Sequence, residues 1–215
     1  MLKIDETSNS LFNTVNGQRF DVVGRLWAVC SQAPGGHDVS IVEAATWLQR
    51  RSGHPLKQPV AVIGPREASS GQLAIAETLG AALGAIGFSV VCGGRQGIME
   101  AVCRGVASVD GISIGLLPET DPSHANPYVT VPIATGIGEA RNVLVARAGF
   151  CLVAIGDSYG TLSEVALGLQ LGRPVFGLGG AAQIAGVRHL GSAEAAADAV
   201  ASIALSFPAH DARGT

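Results

Sequence analysis

The chain has 215 residues, a formal net charge of −3, 47% hydrophobic residues and only 14% charged ones. That length suits a single α/β domain with a sizeable core, and an acidic balance without any Lys/Arg run excludes a broad nucleic-acid footprint. No apolar stretch reaches membrane-spanning length without Gly or a charge, and Asp5 and Glu6 break the basic-then-apolar order of a signal peptide, so a cytoplasmic protein without a membrane partner is expected.

Residues 1–57 differ from the rest. Residues 11–15 and 18–23 flank Asn16-Gly17 and predict a hairpin closed by a type I′ turn. Pro34-Gly35-Gly36 marks a loop. Ser40 and Glu43 then form a capping-box pair that opens a helix through Arg51, stopped by Gly53 and Pro55. Together these predict a small N-terminal hairpin-and-helix extension.

From Pro59 onward β-branched runs alternate with Ala/Leu/Gly-rich stretches. The pattern predicts an α/β, Rossmann-like parallel sheet with helices on both faces over residues 58–205. Strands are expected at 60–63, 89–92, 112–117, 128–131, 150–155 and 175–178, with a weaker one at 187–190. Helices are expected at 70–86, 97–106, 137–148, 161–171 and 192–205, and residues 206–215 read as a flexible tail. The scarcity of charge and the small residues of 137–148 predict helix packing between subunits, hence a homodimer or higher homo-oligomer.

Cys30, Cys92, Cys103 and Cys151 are scattered among apolar residues with no C-x-x-C pair, which predicts reduced, buried thiols. The five histidines supply no ligand spacing, so neither a metal nor a cofactor is expected. There is no G-x-x-x-x-G-K-[ST], no G-x-G-x-x-G after the first strand and no G-x-S-x-G. P-loop, standard dinucleotide and α/β-hydrolase schemes therefore fall away.

Three strand-to-helix turns are glycine-marked: Gly64 through Gly71, Gly93-Gly94-Arg95-Gln96-Gly97 with Met99 beyond it, and Gly156-Asp157-Ser158-Tyr159-Gly160-Thr161. Glycine lets backbone approach a ligand closely, and free N–H groups at a helix start attract anions. Three such turns at successive strand ends predict a site for a small phosphorylated ligand. Arg141 and Glu164 stand near it. A carboxylate beside a ribose stabilises positive charge as a glycosidic bond breaks, and an arginine clamps phosphate. Two bland readings compete: Thr161-Leu162-Ser163-Glu164 also fits a capping box, and Arg141 also suits a surface pair with Glu139.

Gly93-Gly94-Arg95-Gln96-Gly97-Ile98-Met99 resembles the G-G-x-x-G-[LIV]-M stretch of the Lonely-guy (LOG) and molybdenum-cofactor-carrier superfamily. Glu139-Ala140-Arg141-Asn142 with Tyr159-Gly160-Thr161-Leu162-Ser163-Glu164 resembles its R…P-G-G-x-G-T-x-x-E pair. The likeness spans residues 59–190. The run from Asn126 to Gly136 looks most like the bacterial branch related to cofactor carriers and DNA-processing protein A. The resemblance implies two alternatives. One is a phosphoribohydrolase that cleaves nucleoside 5′-monophosphates to free base and ribose 5-phosphate. In it Arg141 and Glu164 are catalytic, Gly160 and Thr161 meet the phosphate, and Gly93, Gly94, Gly97 and Met99 line the nucleotide site; the residues themselves add Gly64 of the first glycine-marked turn and Ser158, whose hydroxyl can donate to phosphate. The other is a non-catalytic carrier of the molybdenum cofactor or another phosphorylated pterin.

One departure bears on both. Where the family has P-G-G, this chain has Gly156-Asp157-Ser158. An Asp157 carboxylate about 4 Å from a phosphate charge would repel it by ~4 kcal/mol at an effective dielectric near ~20. A helix N-terminus offers only ~0.3–1 kcal/mol per favourable charge.

Overall fold

A computed structural model describes residues 1–31 and 35–206. The chain divides into two compact units, Lys57–Ala197 and a second made of Met1–Leu56 with the described residues from Asp198 onward. Pro34 of the expected loop and residues 207–215 of the expected tail lie outside the described residues.

In the smaller unit, strands Leu2–Asp5 (β1), Ser10–Asn13 (β2), Gln18–Asp21 (β3), Leu26–Val29 (β4) and His37–Val39 (β5) form a five-stranded antiparallel sheet in the order β4-β3-β2-β1-β5. Helix Ile41–Arg50 (α1) begins at Ser40, whose hydroxyl accepts from the Glu43 N–H while the Glu43 carboxylate accepts from the Ser40 N–H. The expected capping box is therefore present. Ile4, Leu11, Phe20, Trp47, Leu48 and Leu205 are buried together. The hairpin differs from expectation. Phe12 pairs with Arg19 and Asn13 with Gln18, leaving a four-residue connection over 14–17 in which only Gly17 has positive φ. A type I′ turn needs positive φ at both central residues, so Asn16-Gly17 does not form one.

The larger unit carries strands Val60–Ile63 (β6), Val90–Cys92 (β7), Ser113–Leu117 (β8), Val131–Ala134 (β9), Leu152–Ile155 (β10), Val175–Leu178 (β11) and Val187–His189 (β12). All pair in parallel, in the order β12-β11-β10-β6-β7-β8-β9. Every residue of β6, β7, β10 and β11 is buried. Strands covered on both faces read as unbroken apolar runs, which is why these were visible in the sequence. Helices Ser70–Ile86 (α2), Ile98–Ala107 (α3), Asn142–Ala148 (α4), Tyr159–Gln170 (α5) and Ala193–Ala204 (α6) complete the chain. The fold is Rossmann-like, as expected.

Three boundaries move for local reasons. The strand expected at 128–131 forms instead at Val131–Ala134. Side chains claim the earlier segment: Ser113 Oγ donates to the Tyr128 carbonyl, Thr130 Oγ1 accepts from the Ser113 N–H, and Asn126 Oδ1 accepts from the Tyr128 N–H. The helix expected over 137–148 splits into a 3-10 turn, Gly138–Arg141, followed by α4. Helix α5 starts at Tyr159 rather than Thr161, because Ser158 caps it with Oγ accepting from the Thr161 N–H. No described helix is long and apolar enough to cross a membrane.

Candidate functional site

The chain lays β6 to β9 outward on one side of the larger sheet, then returns to place β10 to β12 on the other side of β6. Strand order reverses between β6 and β10. Loops leaving the carboxyl ends of these two neighbours diverge, and the crevice between them is where open α/β sheets hold ligands. A cavity of about 730 Å³ lies there. Its walls come from 64–67 after β6, from the 3-10 turn through Asn142, and from 157–164 at the start of α5, with Met99 behind.

Helix α5 presents its N-terminus to this cavity. Ser158 occupies the cap, its hydroxyl 3.1 Å from the Thr161 nitrogen and 2.9 Å from Thr161 Oγ1. The N–H groups of Tyr159 and Gly160 precede any intrahelical partner, and such orphan donors, aligned with the helix dipole, suit an anion. Gly160, Thr161 and Ser158 are thus brought together at the wall, as is Gly64.

Arg141 enters from the opposite wall and is buried. Its Nη1 donates to Asn142 Oδ1 at 2.6 Å and to Glu164 Oε1 at 3.1 Å. Asn142 Nδ2 donates to Ser163 Oγ, whose hydroxyl donates to the Gly160 carbonyl. One hydrogen-bonded path therefore joins Glu164, Arg141 and the first turn of α5. The Arg141 Nε is buried without a partner among the described residues, and buried donors are ordinarily satisfied. The capping-box reading of Thr161 and Glu164 falls away: Thr161 lies inside the helix and Glu164 faces Arg141. Glu139 also approaches Arg141, with its carboxylate 3.9 Å from Nη2, and pairs with exposed Arg66 at 3.3 Å.

Burial pushes the Glu164 carboxyl up from 4.5 to about 7, and Arg141 only partly counters this. An ion pair at 3.1 Å normally pulls a carboxyl down. Here desolvation wins, since Glu164 receives a single hydrogen bond from a guanidinium nitrogen that also serves Asn142.

The glycine-rich turn after β7 stands behind this wall. A Cβ at Gly93 would lie 2.5 Å from Arg141 Nη2 and 2.8 Å from Met99 Sδ, so the missing side chain is the space Arg141 occupies. Gly94 faces Gly115 of β8, and its carbonyl accepts from Asn126 Nδ2. Gly97 precedes α3 at φ +71°, beneath the Pro65 and Arg66 carbonyls, and borders a separate cavity of about 260 Å³ with Arg66 and Arg104. Met99 lines the main cavity, whereas Gly93, Gly94 and Gly97 support it from behind. Asn142, Ser163, Arg66 and Glu67 were not singled out from sequence. Arg66 and Glu67 lay within the first glycine-marked turn, which was their only signal.

Cys92, Cys103 and Cys151 are buried and Cys30 is half-buried, all as free thiols. Among the described residues no group of three or more His, Cys, Asp or Glu gathers to hold a metal ion.

A family model described as "LDcluster4: SLOG cluster4 family" matches residues 57–203. The molybdenum cofactor binding protein of the phototrophic bacterium Rippkaea orientalis is similar at TM-score 0.65 and 30% identity, over 69% of this chain and 98% of that one. The molybdenum cofactor carrier protein of Chlamydomonas reinhardtii is similar at TM-score 0.62 and 31% identity, over 68% and 98% respectively. An uncharacterised protein of Archaeoglobus fulgidus is 33% identical over 129 residues, 60% of this chain and 85% of its own.

Proposed function

The chain belongs to the SLOG cluster4 family, and from that premise we propose that its cavity binds a phosphorylated pterin of the molybdenum-cofactor kind as cargo. The observation that carries this reading is the likeness to two cofactor-binding proteins over 98% of each of their lengths. The likeness supports carriage over cleavage.

The residues present suit such a ligand. The orphan N–H groups of α5, the Ser158 and Thr161 hydroxyls and the unpaired Nε of Arg141 suit a phosphate. Exposed Glu67 and Glu139 offer carboxylates to the amino and N–H edge of a pterin ring. Among the described residues no thiol lines the cavity, and the donors and acceptors that do line it suit the phosphate and the ring.

Expression in a host replete in molybdenum cofactor tests the proposal. Purified protein is expected to carry pterin, read by fluorescence after oxidation, together with molybdenum, and the Arg141→Ala variant is expected to lose both. Wild-type protein free of pterin would exclude the carrier reading.

A second reading rests on one feature, the buried Arg141–Glu164 pair at the cavity wall. In it Glu164 stabilises a ribosyl cation while Arg141 orients a nucleoside 5′-monophosphate. Release of free base from such a nucleotide, absent in Glu164→Ala, would support it. The proposal also includes a cytoplasmic location, no nucleic-acid partner and a homo-oligomer. Exposed Val131, Ile133, Ile137, Val143 and Leu144 support the last point, and sedimentation checks it.

A further inference from the structure

Tyr159 is 94% exposed, the most exposed of the large hydrophobic side chains described. Among the described residues it is also the only aromatic one lining the large cavity. The chain has just two tyrosines. The other, Tyr128, has its ring under the Arg104 guanidinium at 5.8 Å.

The place of Tyr159 in the fold matters as much as its exposure. It is the first residue of α5, directly after the Ser158 cap and directly before Gly160 and Thr161. A ligand whose phosphate sits on those N–H groups has its remaining part within reach of this ring. The other apolar groups on the walls are Pro65 and Met99, and Met99 is itself nearly buried. A planar heterocycle leaving water needs an apolar face to lie against, and polar side chains otherwise dominate this cavity.

Resting on the phosphorylated-ligand reading above, we propose that Tyr159 is the stacking platform for the heterocyclic ring of the bound ligand. It makes the site selective for ring-bearing phosphates over bare sugar phosphates. The ring stands free at the mouth and loses little freedom on binding, since a tyrosine has few rotatable bonds. Arg141 and the α5 N-terminus recognise the charge, and Tyr159 recognises the ring.

Calorimetry with two probes separates these contributions. Guanosine 5′-monophosphate carries the same amino-oxo pyrimidine edge as a pterin, and ribose 5-phosphate lacks any ring. Wild-type protein is expected to prefer the nucleotide by about tenfold to a hundredfold, the range that stacking on one aromatic supplies. Tyr159→Ala is expected to erase the preference without changing ribose 5-phosphate affinity. Tyr159→Phe is expected to keep the preference, and Tyr159→Leu to keep only part of it. The proposal is overturned if Tyr159→Ala retains the preference, or if wild-type protein shows none. A shift in sedimentation without loss of preference would likewise overturn it and assign the ring to a subunit contact. Failure here leaves the pterin co-purification result standing, because that assay does not read ring selectivity.

Discussion

Arg141 Nη1 lies 3.1 Å from Glu164 Oε1, and the two side chains, 23 positions apart in sequence, are almost wholly buried at the point where strand order reverses. Breaking such a pair from one side strands the other charge, which costs about 3–5 kcal/mol when both groups are deep.

Arg141→Ala is therefore expected to lower unfolding stability by roughly that amount at pH 8, where Glu164 is ionised. Near pH 6 the loss should shrink, because the orphaned carboxyl then takes up a proton. Urea melts at both pH values check this. Arg141→Lys keeps a charge but not the planar fork, so it should recover part of the stability and little of the ligand affinity. Equal losses at the two pH values would contradict the assignment.

Glu164 links stability to pH with a sign opposite to that of an ordinary salt-bridged carboxylate. Its folded value of about 7 lies above the usual 4.5. Between those values the folded chain holds a proton that the unfolded chain has released. Stability thus falls as pH rises from about 4.5 to about 7, then levels off. The whole loss is on the order of 3 kcal/mol. Glu164→Gln has no proton to lose and should flatten that part of the profile. The check is the difference in unfolding free energy between pH 5 and pH 8, wild type against variant. Parallel profiles would place the titration elsewhere.

How much of this was legible beforehand depends on where each hydrogen bond goes. The buried strands Val60–Ile63 and Val175–Leu178 were visible because burial on both faces leaves an apolar run. Two short strands were missed: His37–Val39 is mostly polar, and Leu26–Val29, though apolar, is largely exposed, so its run does not mark a buried strand. The Arg141–Glu164 pair was nominated by residue type and by resemblance. Its chief rival, a capping box from Thr161 to Glu164, was equally compatible with the residues. The Ser158 cap, set three residues ahead of the expected helix start, and the Arg141–Glu164 contact decide between them. Asn142 stayed hidden because its part, joining Arg141 to Ser163, exists only once the 3-10 turn meets α5.

Gly93 gives a cleaner probe of Arg141 than removing the arginine itself. A Cβ there would meet the ends of two flexible side chains, Arg141 Nη2 at 2.5 Å and Met99 Sδ at 2.8 Å. Both can yield, so Gly93→Ala should fold with a modest loss of about 1–2 kcal/mol. The guanidinium must shift, however, and with it the Nε proposed above to meet the phosphate. Affinity for a phosphorylated ligand is expected to drop about tenfold, following the sensitivity of charge-assisted hydrogen bonds to geometry. Full affinity in a folded Gly93→Ala protein would show that the position of Arg141 does not control binding.

Asp157 supplies a test in which binding and stability move in opposite directions. It lies one residue before the Ser158 cap, lines the cavity and is exposed. A carboxylate there stabilises the α5 N-terminus by about 0.3–1 kcal/mol and repels an anion placed on the same N–H groups. The unscreened repulsion is ~4 kcal/mol at 4 Å, and exposure to water reduces it well below that figure. Asp157→Asn keeps the shape and removes the charge. Melting temperature should fall slightly, while affinity for a phosphate-bearing ligand should rise about threefold to tenfold, with the gain eroding as salt is added. Paired calorimetry and melting curves at low and high salt read both changes. If the variant binds no tighter at low salt, the carboxylate lies clear of the anion and the departure from P-G-G at this turn leaves phosphate binding untouched.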